Sequence, residues 1–532
     1  MQRRSLSVRI RLLLVLAILV PAALAQSVIP ADLDAYVNRS MKEFEVPGLA
    51  IAVVKDGKVV FSKGYGVRNL AAAGDVDDKT LFGIASNTKA FTAAALAILV
   101  DEGKLSWDDP VIKHMPSFRL ADPYVTNELM VRDLLSHRAG LGLGQGDLLY
   151  FPPTDYTPAQ VVERGKYFKP VSSMRSKYAY NNFMFEVAAQ LVAQVSGMPY
   201  DKFVAQRIFA PIGMQSSLVT AREYPAGGNF AVPHSRGWRL EGKLQAIPVT
   251  VDNAWEGAAG IKSNVTDLAR WMNVQLDSGK LPDGRALFSE AAQRQMWSMQ
   301  IPIPISVSPN TPKGLIPARP QFAGYGLGWS MRDYRGHRII SHGGALTGMV
   351  STVQLVPDQK LGIVVLTNQE ETGAYMAVVY HILDHVFQAP DNDWISAYKQ
   401  SRDDSIRRAN EKEQKDAAAR PKDSRTLTTP EKLAGRYHDD WYGDVTVMPE
   451  NGKLVLRFTH TPIMVADLEF WQYDTFKAVF RDKTVPDAYV TFWFNADGKV
   501  DQMKMVATND LADFSFDYQD LLFHPVTEKS KP

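Results

Sequence analysis

Ser86 and Lys89 are residues whose types and spacing could carry out chemistry. They stand in the run Ser86-Asn87-Thr88-Lys89, just before a predicted helix over 91–100. Residues three apart on a helix share a face, so the amine can reach the hydroxyl. A serine hydroxyl becomes a strong nucleophile when a base accepts its proton, and a desolvated lysine can be that base. Taken alone, the pattern is better explained by a helix-capping serine beside a solvent-facing lysine.

A second candidate is the run Tyr180-Asn181-Asn182, which precedes a predicted helix over 184–195. A tyrosine hydroxyl bound to Lys89 could pass a proton to a leaving group. The amide of Asn182 could hold the base and bind a substrate carbonyl. On its own, this run is better explained by a core tyrosine and an Asx turn.

The third candidate is His342-Gly343-Gly344, on the first of several predicted late strands. Glycines in a strand often mark the close approach of a ligand backbone. The backbone N–H of Ala345 could then donate to a developing oxyanion. His342 could bind a substrate carboxylate or assist protonation near neutral pH. The alternative is a strand end with a bulge and a structural histidine.

The order of the three elements, S-x-x-K, Tyr-x-Asn and His-x-Gly, resembles the serine β-lactamase-related superfamily. This group includes class C β-lactamases, D,D-carboxypeptidases, D-aminopeptidases and β-lactamase-like esterases. Three further stretches are similar to family segments: LLSHRAGL at 134–141, AGIKS at 259–263 followed by DLA at 267–269, and GYGLGW at 324–329. The resemblance extends from about Leu33 to Phe387.

The resemblance implies roles for the site residues. Ser86 is the expected nucleophile, Lys89 its general base and Tyr180 a second acid/base. The backbones of Ser86 and Ala345 are the expected oxyanion hole. The substrate-binding residues that the resemblance implies are Asn182, His342, Gly344 and Ala345.

The sequence departs from the family pattern in having neither S-D-N nor K-T-G. A histidine in place of the K-T-G lysine predicts weak or absent β-lactamase activity. In this superfamily the His-x-Gly form is more typical of peptidases and amidases, whereas the esterases often have tryptophan at the position of the histidine. Six ordered motifs nevertheless agree with the family, which makes the resemblance specific. An active enzyme is favoured because four residues are all intact: Ser86, Lys89, Tyr180 and Asn182.

The predicted function is that of an exported serine hydrolase. It would cleave amide or peptide bonds in a small-molecule or peptide substrate, with ester and β-lactam bonds as further candidates. The alternative is a penicillin-binding or sensor-type protein that captures a ligand and turns it over slowly. No cofactor and no metal ion are expected, since no H-E-x-x-H motif is present.

The elements that must position these residues occur in the order strands, helices, strands. A hairpin is predicted over 48–66 around Asp56-Gly57, and consecutive strands over 339–366 with a turn at Pro357-Asp358. A helix is predicted over 266–276 with Thr266 as its N-cap. With the resemblance, this order predicts an α/β chain of the β-lactamase/transpeptidase-like fold: an antiparallel sheet flanked by helices, plus a helical subdomain.

A small all-β domain is predicted to follow. The hydrolase domain is assigned to 26–390, a charged linker to 391–428 and the accessory β-rich domain to 429–532. The turn signals of that domain are Asn451-Gly452 and Asp497-Gly498. Its predicted aromatic core consists of Trp441, Tyr442, Trp471, Phe492, Trp493 and Phe494.

Composition and the first residues predict where the protein acts. The net charge of +1 argues against a nucleic-acid partner, and the absence of cysteine excludes disulfides and thiolate catalysis. Residues 1–25 combine arginines, a short apolar run and a small-x-small site, which is typical of a signal peptide cleaved after Ala25. A periplasmic or secreted protein without a stable membrane span is therefore expected. The oligomeric state and the natural substrate stay open.

Overall fold

The structure, a computed structural model, describes residues 27–220, 227–249, 255–306, 308–426 and 428–526. The predicted signal peptide over 1–25 lies outside the described residues. The strands are β1 Gly48–Lys55, β2 Lys58–Gly66, β3 Phe82–Gly83, β4 His234–Ser235, β5 Gln245–Ala246, β6 Lys262–Ser263, β7 Ile301–Pro302, β8 Ala323–Tyr325, β9 Ser330–Tyr334, β10 His337–Leu346, β11 Met349–Val356, β12 Leu361–Thr367, β13 Gly435–Asp439, β14 Gly443–Glu450, β15 Lys453–Phe458, β16 Val465–Gln472, β17 Thr475–Phe480, β18 Ala488–Phe494, β19 Val500–Ala507 and β20 Leu522–Pro525. The α-helices are α1 Leu33–Phe44, α2 Thr88–Asp101, α3 Val111–His114, α4 Pro123–Glu128, α5 Val131–Leu134, α6 Pro158–Arg164, α7 Phe183–Ser196, α8 Tyr200–Val204, α9 Ala210–Ile212, α10 Val265–Leu276, α11 Glu290–Met296, α12 Thr372–Phe387, α13 Trp394–Ala418 and α14 Pro430–Leu433.

One sheet of eight strands organises the first domain. Its strand order is β2-β1-β12-β11-β10-β9-β8-β7, and all its neighbours are antiparallel. The N-terminal hairpin β1–β2 therefore joins strands that come much later in the chain. The predicted fold class, an antiparallel sheet flanked by helices with a β domain after it, is confirmed.

Helices cover both faces of this sheet because the side chains of its central strands alternate between two apolar cores. On one face, Leu49, Ile51 and Val53 of β1 pack with α1 and α12. On the other face, Ala50 and Ala52 join the larger core that contains α2, α7 and α10. Burial on both faces makes these strands nearly continuous apolar runs, which stabilises the sheet that carries β10.

The helix α10 begins differently from the prediction. Asn264, and not Thr266, is its N-cap, since its side chain accepts a hydrogen bond from the Asp267 N–H at 2.8 Å. The hydroxyl of Thr266 instead donates to the carbonyl of Asp78 at 3.0 Å. Asparagine and threonine are both good capping residues, so the local sequence does not decide which of the two caps the helix. The contact of Thr266 with the distant Asp78 accompanies the use of Asn264.

The C-terminal strands β13 to β20 form a closed barrel. The turns at Asn451-Gly452 and Asp497-Gly498 join β14 to β15 and β18 to β19, as predicted. Of the predicted aromatic core, Trp441, Tyr442 and Phe492 are buried, whereas Trp493 points outward and is 45% exposed. Most of the predicted linker over 391–428 is the single long helix α13.

The barrel packs directly on the first domain. Phe168 and Trp441 meet with ring centroids 5.8 Å apart, and Phe151 meets Phe516 at 5.3 Å. The apolar core of the larger domain continues through these contacts into the barrel. None of the helices in the described ranges has the length and apolar character that crossing a bilayer requires.

Candidate active site

Ser86 lies in a short 3-10 turn, Ala85–Asn87, that leads directly into α2. Ala85 has a φ of 48°, in the left-handed region that a residue with a Cβ rarely adopts. Such strain persists only where the surroundings enforce it, and it is frequent at active sites. The turn places the Ser86 hydroxyl at the positive end of α2, in the wall of a cleft.

Strands β10 and β11 clamp this turn. The hydroxyl of Ser351 donates to the carbonyl of Ile84 at 2.7 Å, and the amide of Asn87 donates to the Ser351 hydroxyl at 2.8 Å. A Cβ on Gly344 would collide with the Ile84 carbonyl oxygen, so only glycine lets β10 approach so closely. The backbone of Ala345 follows immediately and lines the same cleft as Ser86.

The side chain of Lys89 is fully buried beneath Ser86. Its Nζ lies 3.0 Å from Ser86 Oγ, 2.6 Å from Asn182 Oδ1 and 3.1 Å from the carbonyl of Ala258. The last two partners can only accept hydrogen bonds, whereas the serine hydroxyl can also donate one. A neutral amine has two N–H groups and one lone pair. It can therefore donate to both carbonyl oxygens and direct its lone pair at the serine proton.

Burial is the main reason that this amine can be neutral. It lowers the pKa of Lys89 to about 7, against the nearby charges of Asp147 and Glu186, which raise it. A pKa near neutrality is what general-base catalysis requires, because the group is then both available and basic.

Asn182 lies at the start of α7 and connects Lys89 to a second buried group. Its Oδ1 accepts from Lys89, and its Nδ2 donates to Asp147 Oδ2 at 2.8 Å. Burial raises the pKa of Asp147 to about 7, although hydrogen bonds from Tyr150, Asn182 and Ser515 lower it. Both ends of the Asn182 amide are thus engaged, and its position suits holding the base better than binding a substrate carbonyl.

The sequence reasoning missed two carboxyl groups in this site, Asp147 and Glu186. Glu186 is fully buried and accepts from the N–H groups of Gly257 and Ala258, at 3.2 and 2.9 Å. It thereby holds the carbonyl of Ala258 that faces Lys89. Its spacing of four residues from Asn182 on α7 was a signal in the sequence, whereas nothing local marked Asp147.

The ring of Tyr180 covers Lys89 from the other side. Lys89 Nζ is 4.9 Å from its ring centroid, and its phenol is near enough to the Ser86 side chain to interact with it. Burial raises the pKa of Tyr180 well above its usual range, so the phenol stays protonated at neutral pH. The structure thus places the predicted acid/base next to Ser86, whereas the prediction had it bound to Lys89.

His342 has a hydrogen-bond partner at each of its two ring nitrogens. Its Nε2 lies 2.7 Å from the Tyr325 hydroxyl and its Nδ1 lies 2.6 Å from the carbonyl of Gly343. Since a carbonyl only accepts, Nδ1 carries the proton and Nε2 accepts from Tyr325. Burial, with the positive charge of Lys89, lowers the pKa of His342 to about 3. The ring is neutral and both nitrogens are engaged, so we do not assign carboxylate binding to it.

These groups open into a cleft of about 540 Å³ at the junction of the two domains. Ser86, Tyr180, Asn182 and His342 lie on its first-domain side, together with Gly344 and Ala345. The barrel side contributes Thr484, Pro486, Leu511, Asp513, Phe514, Ser515 and Phe516. All seven predicted site residues are therefore together, since Lys89 lies directly beneath Ser86.

The profile of the Beta-lactamase family matches residues 33–386, which is well over half of the chain. The chain belongs to the Beta-lactamase family. The predicted resemblance to the serine β-lactamase-related superfamily, with an added C-terminal domain, is confirmed. A second profile, described as a domain of unknown function (DUF3471), matches residues 418–525 and so covers the barrel.

Relatives of this Beta-lactamase family protein include hydrolases. Unguisins hydrolase ungD' of Aspergillus campestris is 30% identical over 384 residues, which cover 69% of this chain and 68% of the relative. Protein flp of Staphylococcus aureus is 24% identical over 349 residues, covering 63% of this chain and 62% of the relative. A solved structure, the octameric penicillin-binding protein homologue from Pyrococcus abyssi, has the same fold. It aligns over 92% of this chain and 99% of its own, with a TM-score of 0.56 and 21% identity.

Proposed function

We propose that this Beta-lactamase family protein is a serine hydrolase that cleaves amide or peptide bonds through an acyl-Ser86 intermediate. Lys89 is the general base and Tyr180 the second acid/base. The observation that carries the proposal is the set of partners around Lys89 Nζ, two carbonyl oxygens and the Ser86 hydroxyl. This arrangement directs the lone pair of a neutral amine at the proton that must leave.

The reaction follows from this geometry. Lys89 accepts the Ser86 proton as Oγ attacks the carbonyl carbon, and the oxyanion that forms is bound by the N–H groups of Ser86 and Ala345. The proton then passes through the Tyr180 hydroxyl to the leaving nitrogen, and the carbon–nitrogen bond breaks. In the second half-reaction, water attacks the acyl-Ser86 carbonyl and its proton passes to Lys89. Lys89 then returns this proton to Ser86 Oγ as the bond between Oγ and the acyl carbon breaks, which releases the carboxylic acid and restores Ser86.

The walls of the cleft favour a substrate without a free carboxylate. Among the described residues that line it, the ionisable side chains other than tyrosine are Glu370, Asp513 and the neutral His342, and none is a lysine or arginine. A carboxylate brought into this cleft would lose its hydration without gaining a lysine or arginine partner from the described residues of the lining. This supports weak or absent β-lactamase activity, since β-lactams carry such a group.

Apolar and aromatic side chains line much of the rest of the cleft, including Phe151, Trp238, Trp255, Phe514 and Phe516. Surfaces of this kind bind apolar side chains of a peptide or a small amide. Two relatives of this chain are named hydrolases, which agrees with turnover and not only with capture. Esters with apolar acyl groups fit the same cleft and remain a second class of substrate.

The test of this proposal is to trap the acyl-enzyme. After rapid mixing of the protein with p-nitrophenyl butyrate and acid quenching, intact mass spectrometry should show one added butyryl group. Peptide mapping should place that group on Ser86. Failure to acylate Ser86 would contradict the proposal.

The same experiment separates the enzyme from the sensor-type alternative. An enzyme should lose the butyryl group within its turnover time, together with steady release of nitrophenol. A slow-turnover binding protein should retain the group for hours after a single burst.

We also propose that the protein is exported to the periplasm or secreted, on the strength of the signal-like residues 1–25. N-terminal sequencing of the protein purified from its native host should give Gln26 as the first residue. A protein that begins at Met1 and stays with the cytoplasmic fraction would contradict this.

A further inference from the structure

The barrel reaches the candidate active site through residues 509–517, called the barrel segment below. It follows β19 and leads into the turn Tyr518–Asp520. The ring of Phe514 lies edge-on to Tyr180, with centroids 5.8 Å apart. A Cβ on Gly144 would lie 2.6 Å from the Phe514 carbonyl oxygen, so the two backbones are in close contact. The barrel segment therefore packs against the groups that transfer protons.

Asp517 is the deepest residue of the barrel segment and is fully buried. Its carboxyl group accepts hydrogen bonds from the N–H groups of Gly146 and Leu148, at 2.7 and 3.3 Å. These are the two residues on either side of Asp147. The side chain of Ser515 lies close to the Asp147 carboxyl and lowers its pKa, against the larger effect of burial, which raises it. Two residues of the barrel segment thus fix both the backbone and the side chain of Asp147.

The position of Asp147 decides how Asn182 faces Lys89. Both oxygens of Asp147 accept hydrogen bonds, from the Asn182 NH₂ group and from the Tyr150 hydroxyl, so Asn182 turns its NH₂ group toward Asp147 and its oxygen toward Lys89. If Asp147 moved away, the amide could reverse and present N–H groups to Lys89. Those groups would compete with the Ser86 proton for the lone pair of the amine.

Domain docking alone does not explain this arrangement. Burial raises the pKa of Asp517 well above its usual range, and the charge of Asp147 raises it further. Burying two acidic groups side by side is unfavourable, and apolar residues would hold the domains together at lower free-energy cost. Polar groups buried in this way are better explained by a requirement for a defined geometry.

We propose that Asp517 is a positioning residue for the Lys89 base, acting through Asp147 and Asn182. The C-terminal barrel then completes the catalytic machinery of the Beta-lactamase domain. This inference rests on the proposed function and extends it to a domain whose role no motif in the sequence indicated.

The test compares Asp517→Ala and Asp517→Asn with wild type in the full chain. Asp517→Ala should lower the acylation rate constant and kcat for p-nitrophenyl butyrate by about 30-fold, because small displacements of a catalytic group have effects of this size. KM should change by less than about threefold, because the substrate contacts remain. Asp517→Asn keeps an oxygen that can accept from the Gly146 N–H. Its kcat should therefore lie between the values for wild type and Asp517→Ala.

Asp439→Asn is the matched control. Asp439 is also a buried carboxyl of the barrel that accepts backbone N–H groups, from Trp441, Tyr442 and Leu522, but it does not line the cleft. Its variant should lose stability in thermal unfolding yet keep kcat. Equal losses of kcat in the two Asp→Asn variants would overturn the inference and indicate general loosening of the barrel.

The two proposals fail in distinguishable ways. If wild type does not acylate Ser86, the proposed function fails and the positioning role fails with it. If wild type acylates and the folded Asp517→Ala variant acylates at the same rate, only the positioning role fails. Should Asp517→Ala not fold, the ratio of kcat between Asp517→Asn and Asp439→Asn decides the question.

Discussion

Replacing Ser86 by alanine is expected to lower turnover of p-nitrophenyl butyrate by about four to six orders of magnitude, the usual effect of removing a catalytic nucleophile. The loss is large because the Ser86 hydroxyl has the buried amine of Lys89 3.0 Å from its oxygen, and an alanine side chain has no atom that could attack the substrate. The cleft and Lys89 would remain, so binding of the ester should be little changed. Steady-state release of nitrophenol at pH 8 measures the effect.

The control for this substitution is Ser40→Ala. Ser40 is fully buried in α1, on the face of the sheet opposite α2. Its hydroxyl donates to the carbonyl of Ala374 at 2.9 Å. Ser40→Ala removes a serine hydroxyl from a packed site and leaves the cleft unchanged. Turnover by Ser86→Ala within tenfold of wild type would refute Ser86 as the nucleophile.

The second large effect is expected for Lys89→Met. Methionine keeps an apolar side chain at this buried position and removes the base. We expect kcat to fall by about four orders of magnitude, because the Ser86 hydroxyl then loses the amine base that accepts its proton. The carbonyl of Ala258 and Oδ1 of Asn182 also lose their donor, which should lower stability. Lys262→Met is the control for the loss of stability, because it also removes a buried amine but one that does not line the cleft.

The pH dependence of kcat/KM distinguishes a base from a purely structural lysine. The base is active when neutral, and burial lowers the pKa of Lys89 to about 7. In wild type, kcat/KM should therefore be constant at high pH and fall tenfold per unit below about pH 7. The kcat/KM of Lys89→Met should not show this fall below pH 7, and the variant should recover part of its activity as the hydroxide concentration increases. Full activity of the variant at neutral pH would exclude Lys89 as the base.

The parts of the site that could be predicted from the sequence were those with local signatures. Ser86 and Lys89 are three residues apart at a helix start, and the Gly344 position needs a glycine for steric reasons. The hairpins of the sheet followed from apolar runs and turn signals, whereas its antiparallel arrangement was implied by the family resemblance. Short-range spacing carries such information because the geometry of one helix or one hairpin fixes it.

The parts that could not be predicted depend on contacts between distant segments. Asp147 becomes part of the site only because α7 and the barrel segment both reach it. The hydroxyl that occupies Nε2 of His342 comes from Tyr325, which lies on another strand. The outward direction of Trp493 depends on which face of β18 the closed barrel encloses, and aromatic content alone does not define that face.

The clamp between the barrel segment and the loop around Asp147 has a consequence for how the protein is made. Chains grow from the N-terminus, and domains generally fold as they emerge. A chain completed as far as α12 already contains Ser86, Lys89, Asn182 and the sheet, but it lacks Asp517. With the positioning role proposed for Asp517, hydrolysis would reach its full rate only after β13 to β19 had formed. Unfinished chains would then carry a nucleophile that stays poorly reactive during synthesis.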